Sequence, residues 1–116
     1  LPVLMADEAK ALIDSLAEPR YAGGMAEVAK ALQAALLQID TAQLVEYANR
    51  MRDKSLGSRL GFLLARLGHD VAAGDLIYSA SRVKLDPGRP VNGRWDDVWR
   101  VDVNLADSEM FPAGVE

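Results

Sequence analysis

One run constrains this chain more than any other: Ser58-Arg59-Leu60-Gly61-Phe62-Leu63-Leu64-Ala65-Arg66-Leu67-Gly68. At about 100° per residue, Leu56, Leu60, Leu63, Leu64 and Leu67 form one stripe while Phe62 points almost the opposite way. A helix that must be covered on two sides belongs in the middle of a bundle, not on its rim. Gly57 and Gly61 fall together on a third side, where missing side chains let another helix or the following segment pack at short range. Arg59 and Arg66 share the remaining strip. A partly buried guanidinium is costly without a carboxylate, and Asp14, beside Ile13 on the inner half of the first helix, is the first candidate partner for Arg59.

The 116 residues suit a single domain, 1–116, with one core. Cysteine is absent, so neither a disulfide framework nor a thiolate metal site is available. Half of the residues are apolar, yet no apolar run approaches the roughly 20 residues of a bilayer-spanning helix. The expectation is a cytoplasmic protein with no membrane partner. A net charge of −4 argues against sequence-independent nucleic-acid binding, which favours a basic face. The chain starts at Leu1 rather than methionine and lacks the charged start of a signal peptide, so it reads as a piece of a longer polypeptide.

Val3 and Met5 alternate as a short extended start, and Asp7 reads as the N-cap of a helix with Ala9, Leu12, Ile13 and Leu16 inward. Pro19 closes it, Gly23-Gly24 punctuates the chain, and Met25, Val28, Ala29, Leu32, Leu36 and Ile39 follow helical spacing. Asp40 with Gln43 resembles a capping box opening a third helix with Leu44, Tyr47, Ala48 and Met51 inward. Ser55 reads as N-cap and Gly68 as stop of the central helix, and a fifth helix is predicted from about Asp70 to Ser79. Beyond Ser81 the period becomes two. Val83–Leu85 and Val98–Leu105 are predicted antiparallel partners around a turn-rich Asp86–Gly93, with Val3–Met5 as a candidate third strand.

The residues offer little to hydrolytic or metal chemistry. His69 is the sole histidine, no His-x-x-x-His or Glu-x-x-His spacing exists, and His69 beside Gly68 reads as an exposed residue at the helix-end carbonyls. Neighbouring Asp96 and Asp97 project apart on a strand and do not make an acid–base pair. Gly23-Gly24 reads as a tight inter-helix turn, with an anion at the following helix N-terminus as the alternative. Arg50, Arg52, Lys54, Arg59 and Arg66 are either a patch for an acidic partner or phosphate, or a solvated helix end with Arg59 in an internal pair. Trp99 faces inward as a core anchor, whereas Trp95 is a candidate interface anchor.

The blocks Ala6-Asp7-Glu8-Ala9-Lys10-Ala11-Leu12-Ile13-Asp14, Pro19, Tyr21-Ala22-Gly23-Gly24, Arg59-Leu60-Gly61-Phe62-Leu63-Leu64 and Trp99-Arg100-Val101-Asp102-Val103-Asn104, in this order, resemble the C-terminal domain of AbiE-type antitoxins. These are type IV toxin–antitoxin regulators of bacterial abortive infection, related to predicted transcriptional regulators of viral defence systems. The resemblance spans about Met5 to Leu105 and puts Asp14, Gly23, Gly24, Arg59, Gly61 and Trp99 on family-pattern positions. In that family an N-terminal winged helix binds operator DNA, and the C-terminal domain is linked to neutralising a nucleotidyltransferase-like toxin without a stable complex. The resemblance implies no catalytic residue.

The expectation is therefore an α+β domain, a bundle of about five helices with a small antiparallel sheet, acting as an antitoxin and repressor effector. Operator DNA would be reached only through a winged-helix domain outside these residues. The alternative is a self-association or protein-interaction module pairing two copies through Trp95 and a strand edge. No enzyme activity, cofactor or metal is expected. Arg50, Arg52, Lys54, Arg59, Arg66 and Trp95 are the candidate interaction surface, and Asp14, Gly23, Gly24, Gly61 and Trp99 the structural positions.

Overall fold

The computed structural model describes residues 2–111, apart from the side chains of residues 2–7 and 73. Helix α1 runs from Pro2 to Ala17, one turn of 3-10 helix from Pro19 to Ala22, α2 from Met25 to Ala35, α3 from Thr41 to Met51 and α4 from Lys54 to Arg66. Strands β1 (Val83–Lys84), β2 (Trp95–Asp96) and β3 (Val101–Asp102) follow, then the short α5 (Asp107–Met110). The class is α+β, four substantial helices and one short one around a small sheet.

Helix α4 lies at the centre. Every residue from Leu56 to Leu64 is buried, including Phe62 on the side opposite the leucine stripe. Such a helix is surrounded, and α1, α3, β1 and β3 all touch it. Its glycine side admits the following chain, as the spacing predicted: a Cβ on Gly57 would stand 1.5 Å from the Ile77 carbonyl oxygen. A Cβ on Gly61 would stand 2.4 Å from the Trp99 ring. Trp99 is buried in that gap and meets Tyr78 edge-on, ring centroids 5.1 Å apart.

Around this centre α1 presents Ala9, Leu12, Ile13 and Leu16, and α2 presents Met25, Val28, Ala29 and Leu32, all buried. Asp40 caps α3 by accepting from the Ala42 N–H at 3.2 Å. Leu44 and Ala48 of α3 are buried and Tyr47 is half-buried. Met51, predicted inward, is 43% exposed, because α3 ends there and Arg52 turns the chain at φ 55°. The N-cap of α4 is Asp53, not Ser55: its carboxylate accepts from the Leu56 N–H at 3.1 Å.

Three other expectations are corrected. The segment expected as an extended Val3–Met5 with an N-cap at Asp7 is helical from Pro2 onward. Proline suits a first helical position and Leu4, Met5 and Ala6 are strong helix formers, so two alternating residues carry too little strand preference to compete. The fifth helix expected over Asp70–Ser79 is absent; only Ala73–Asp75 form a 3-10 turn. The chain there is held extended by side chains of the bundle. Asn49 donates to the Asp75 carbonyl at 2.9 Å and accepts from the Ile77 N–H at 2.8 Å. Ser58 Oγ accepts from the Ser79 N–H at 2.9 Å. Gly74 removes helix preference from the same stretch.

The sheet is mixed, in the order β1-β3-β2, not purely antiparallel. β1 pairs parallel with β3, Val83 opposite Val101, and β2 pairs antiparallel with it, Trp95 opposite Asp102. A tight connection joins β2 to β3, with the Trp99 N–H bonded to Asp96 at 2.8 Å and Arg100 at φ 63°. With β2 on one edge of β3, β1 takes the other. Val83 N–H and Leu85 N–H then donate to Arg100 and Asp102 carbonyls at 2.8 and 2.9 Å. No described helix is long and apolar enough to cross a membrane.

The two close approaches on α4 are testable by adding one methyl. Gly57→Ala, whose Cβ would meet backbone, should lose about 3 kcal/mol in urea unfolding, and Gly61→Ala a comparable amount as Trp99 is displaced. Gly74→Ala, with nothing within 4 Å of its Cβ, should stay within about 0.5 kcal/mol of the parent.

Candidate functional site

The six candidate interaction residues do not share one surface. Arg50 and Arg52 lie together at the C-terminal end of α3, where both line a shallow depression with Ala42, Val45, Glu46 and Asn49. Arg50 pairs with Glu46 at 2.7 Å, and its guanidinium lies 5.3 Å from the Tyr47 ring centroid. Lys54 is exposed at the start of α4. Arg66, in the last turn of α4, is ion-paired with Asp107 of α5 and so ties the two helices. Trp95 is half-buried on the edge strand β2, with the Arg82 guanidinium 4.4 Å over its ring.

Arg59 is the exception, because it lies inside. It is 8% exposed, and its Nε donates to the Lys84 carbonyl at 3.0 Å at the end of β1. The predicted ion pair with Asp14 does not form. Asp14 faces outward on α1 and is exposed, one helical step round from the buried Ile13. No carboxylate among the described residues lies within 4 Å of Arg59; Asp53, Asp86 and Glu18 act on it from further away. Burial pulls its guanidinium below the ordinary arginine range, and those three carboxylates oppose the shift. Arg59 is thereby a core residue and no part of an exposed patch with Arg50, Arg52, Lys54 and Arg66.

Asp14 instead lines a groove between α1 and α3, together with Lys10, Ile13, Tyr47, Arg50 and Met51. The groove encloses about 280 Å³ over an apolar floor of Ile13, Tyr47 and Met51. That is about the lower limit for a small-molecule pocket, and ample for an apolar side chain offered by another protein. Lys10, Asp14 and Arg50 supply its charged rim. Met51, 43% exposed, is the flexible and polarisable member of that floor.

Gly23 and Gly24 form the tight turn. Gly23 has φ 91° and Gly24 φ 100°, and their N–H groups donate to the Arg20 and Pro19 carbonyls at 3.5 and 2.8 Å, which leaves neither free for an anion. His69 is exposed and its Nδ1 lies 3.2 Å from the Thr41 hydroxyl. The helix-end carbonyl it was expected to meet is taken by its backbone: the His69 N–H donates to Leu64 at 2.8 Å. No group of three or more histidine or acidic side chains converges among the described residues.

A polar cluster in the sheet has no counterpart in the sequence reading. Asp102 and Asn104, which alternation with the buried Val101, Val103 and Leu105 would put on a solvated face, are 0% and 8% exposed. Asp102 accepts from the Asn92 and Gly93 N–H groups at 2.7 and 2.8 Å. Asn104 accepts from the Asp86 N–H and donates to the Asp86 carbonyl, both at 2.9 Å, and it also reaches the carbonyls of Arg89 and Pro90. Two side chains thus replace the ladder that the turn-rich 86–93 segment lacks. The available signal was that segment itself: a run full of turn formers leaves backbone groups needing side-chain partners.

Compared with protein-family models, curated proteins and solved structures, the chain gives no match.

Replacing one acceptor oxygen of the cluster should be felt directly. Asp102→Asn sets an amide N–H against one of the two loop N–H groups and should lower stability by about 1–3 kcal/mol in chemical denaturation. A second prediction concerns Glu109. Its carboxyl is held below the usual glutamate range, first by the Ala106 N–H and then by Arg89, whose Nη1 lies 2.9 Å away. A lowered folded-state pKa stabilises the fold above the unfolded value of about 4.3 and is lost as pH falls through the folded value. The Tm gap between wild type and Glu109→Gln should be open at neutral pH and close on acidification.

Proposed function

We propose that the chain is the C-terminal effector domain of a type IV antitoxin and transcriptional repressor that counteracts a nucleotidyltransferase-like toxin in the bacterial cytoplasm. The observation that carries this reading is the ordered set of sequence blocks containing Leu12-Ile13-Asp14, Gly23-Gly24, Arg59-Leu60-Gly61-Phe62-Leu63-Leu64 and Trp99. Their placement supports treating them as one pattern. Gly61 receives the Trp99 ring, and Ile13 and Leu60 share the same core.

The effector surface on this reading is the α1–α3 groove. Its apolar floor suits one side chain of a partner, and its rim is mixed in charge, Lys10 beside Asp14 with Arg50 already paired to Glu46, so a partner would match it with charges of both signs. DNA contact in such a regulator belongs to the winged helix, in keeping with the net charge of −4 here. A second reading, self-association, is favoured by the half-buried Trp95 on edge strand β2 and by Val91 and Val98, 58% and 61% exposed.

The test is rescue of growth in a bacterial host expressing a nucleotidyltransferase-like toxin of a type IV toxin–antitoxin system. Expression of the chain should restore growth. Arg50→Glu with Met51→Ser should weaken rescue by about tenfold or more, while the lost Arg50–Glu46 pair lowers Tm by no more than a few degrees, since both side chains are on the surface. Full rescue by the double variant would remove the groove from the mechanism. Failure of the wild-type chain to rescue, with a mass in solution that grows with concentration, would favour self-association.

A further inference from the structure

A cleft between the Glu18–Gly24 turn and the Asp86–Arg89 loop matches its charges internally. Arg20 lies 3.6 Å from Glu18, and Arg89 lies 2.9 Å from Glu109 and 3.7 Å from Asp86. The sheet does not balance its charges in this way. Val83 and Val101 stand opposite each other, both buried. The residues before them, Arg82 and Arg100, are thereby brought side by side at one end of the sheet, and both are exposed. The Val83 N–H, bonded to the Arg100 carbonyl at 2.8 Å, holds the two backbones together there. Lys84, next to the buried Val83, faces away from the core and is half-buried.

Among the described residues no carboxylate lies within 4 Å of Arg82, Lys84 or Arg100. Two acids of the sheet are engaged elsewhere: Asp102 accepts from the Asn92 and Gly93 N–H groups, and Asp96 from the Trp99 N–H. Asp97, in the β2–β3 connection, is exposed and makes no ion pair with them. Like charges set opposite each other on neighbouring strands are destabilising, so the fold gains nothing by placing two arginines together.

Arg82 is also held in position. Its guanidinium lies 4.4 Å from the centre of the Trp95 ring, a contact that uses its charge and leaves its five N–H groups without a partner among the described residues. A planar donor already in place loses less freedom when it grips an anion. The same surface has apolar area: Trp95 is half-buried, and Val98, between Trp95 and Arg100 in the chain, is 61% exposed. A phosphate backbone has no use for Val98, and a net charge of −4 disfavours one. A protein segment with carboxylates uses both, and tryptophan and arginine are the side chains that most often dominate such contacts.

We propose that this face binds an acidic segment of another protein, with one carboxylate on Arg82, a second on Arg100 and an apolar side chain against Trp95 and Val98. Carboxylates on alternate residues of an extended segment project to the same side and suit two neighbouring arginines.

Titration calorimetry of the whole chain with the peptide acetyl-GDGDLG-amide, its neutral counterpart acetyl-GNGNLG-amide and oligothymidylate tests this. The acidic peptide should saturate with a Kd of about 1 mM or tighter, and the neutral one should not bind. Arg82→Glu should weaken the acidic peptide at least about tenfold. Lys30→Glu, the same change of net charge on α2, should leave its binding unchanged. Should Arg82→Glu not fold, the comparison of the two peptides on the wild type still decides the matter. No saturation by the acidic peptide, equal binding of the neutral one, equal loss in the two variants, or tighter binding of oligothymidylate would overturn the proposal. So would a mass in solution that grows with concentration and no longer does so in Arg82→Glu, which would assign the face to a second copy.

Discussion

The side of α4 that has no side chains is the constraint on which the rest of the fold depends. Gly57 and Gly61 lie one helical turn apart, and each is in contact with something that cannot yield cheaply, the Ile77 backbone in one case and the Trp99 ring in the other. Because those approaches are so close, the chain after α4 turns back across its own helix and passes over it as extended backbone. Ser58 and Asn49 then supply the hydrogen bonds that such backbone would otherwise lack. The position of Trp99 fixes the corner between β2 and β3, and through it the register of the whole sheet.

Arg59 connects this centre to the sheet in a way that a surface ion pair could not. Its Nε–Lys84 bond joins the middle of α4 to the end of β1. From there Asp86 and Asn104 extend the polar chain into the 86–93 loop. A guanidinium inside a protein is expensive to desolvate, and three carboxylates at a distance offset that only in part, which is why its proton is held less firmly than usual. The arrangement serves geometry more than stability. It sets where the loop stands relative to the Glu18–Gly24 turn, and so forms the cleft between them.

The helical half of the fold was legible because its signals are periodic and redundant. Leu56, Leu60, Leu63, Leu64 and Phe62 each repeat the statement that α4 is covered on two sides, and all are buried. The sheet was less legible, since strands of two residues carry no period. Trp95-Asp96 contains too little pattern to announce a strand, and without it β1 was assigned the wrong direction. Asp102 and Asn104 were misplaced for a related reason. Alternation assigns faces by hydropathy, whereas these two are buried by hydrogen bonds to a loop whose path is not local in sequence. Asp14 shows the same limit: proximity to Ile13 along the chain put it near the core, but one step round a helix is enough to reach solvent.

The candidate sites divide along that line. Arg50 and Arg52 end up adjacent because both sit at the end of one helix, a local fact that spacing conveys. The α1–α3 groove needed the packing of two helices, and the Asp86 cleft needed a turn between helices to meet a loop between strands. Both concave features lie where separate segments converge, so their side chains are drawn from distant parts of the sequence, Lys10 with Arg50 and Glu18 with Asp86. Their chemistry differs accordingly. The groove offers apolar area bordered by Lys10, Asp14 and Arg50, the last already paired with Glu46. The cleft instead sets Asp86, ion-paired with Arg89 at 3.7 Å, against the glycine-bearing turn between α1 and α2.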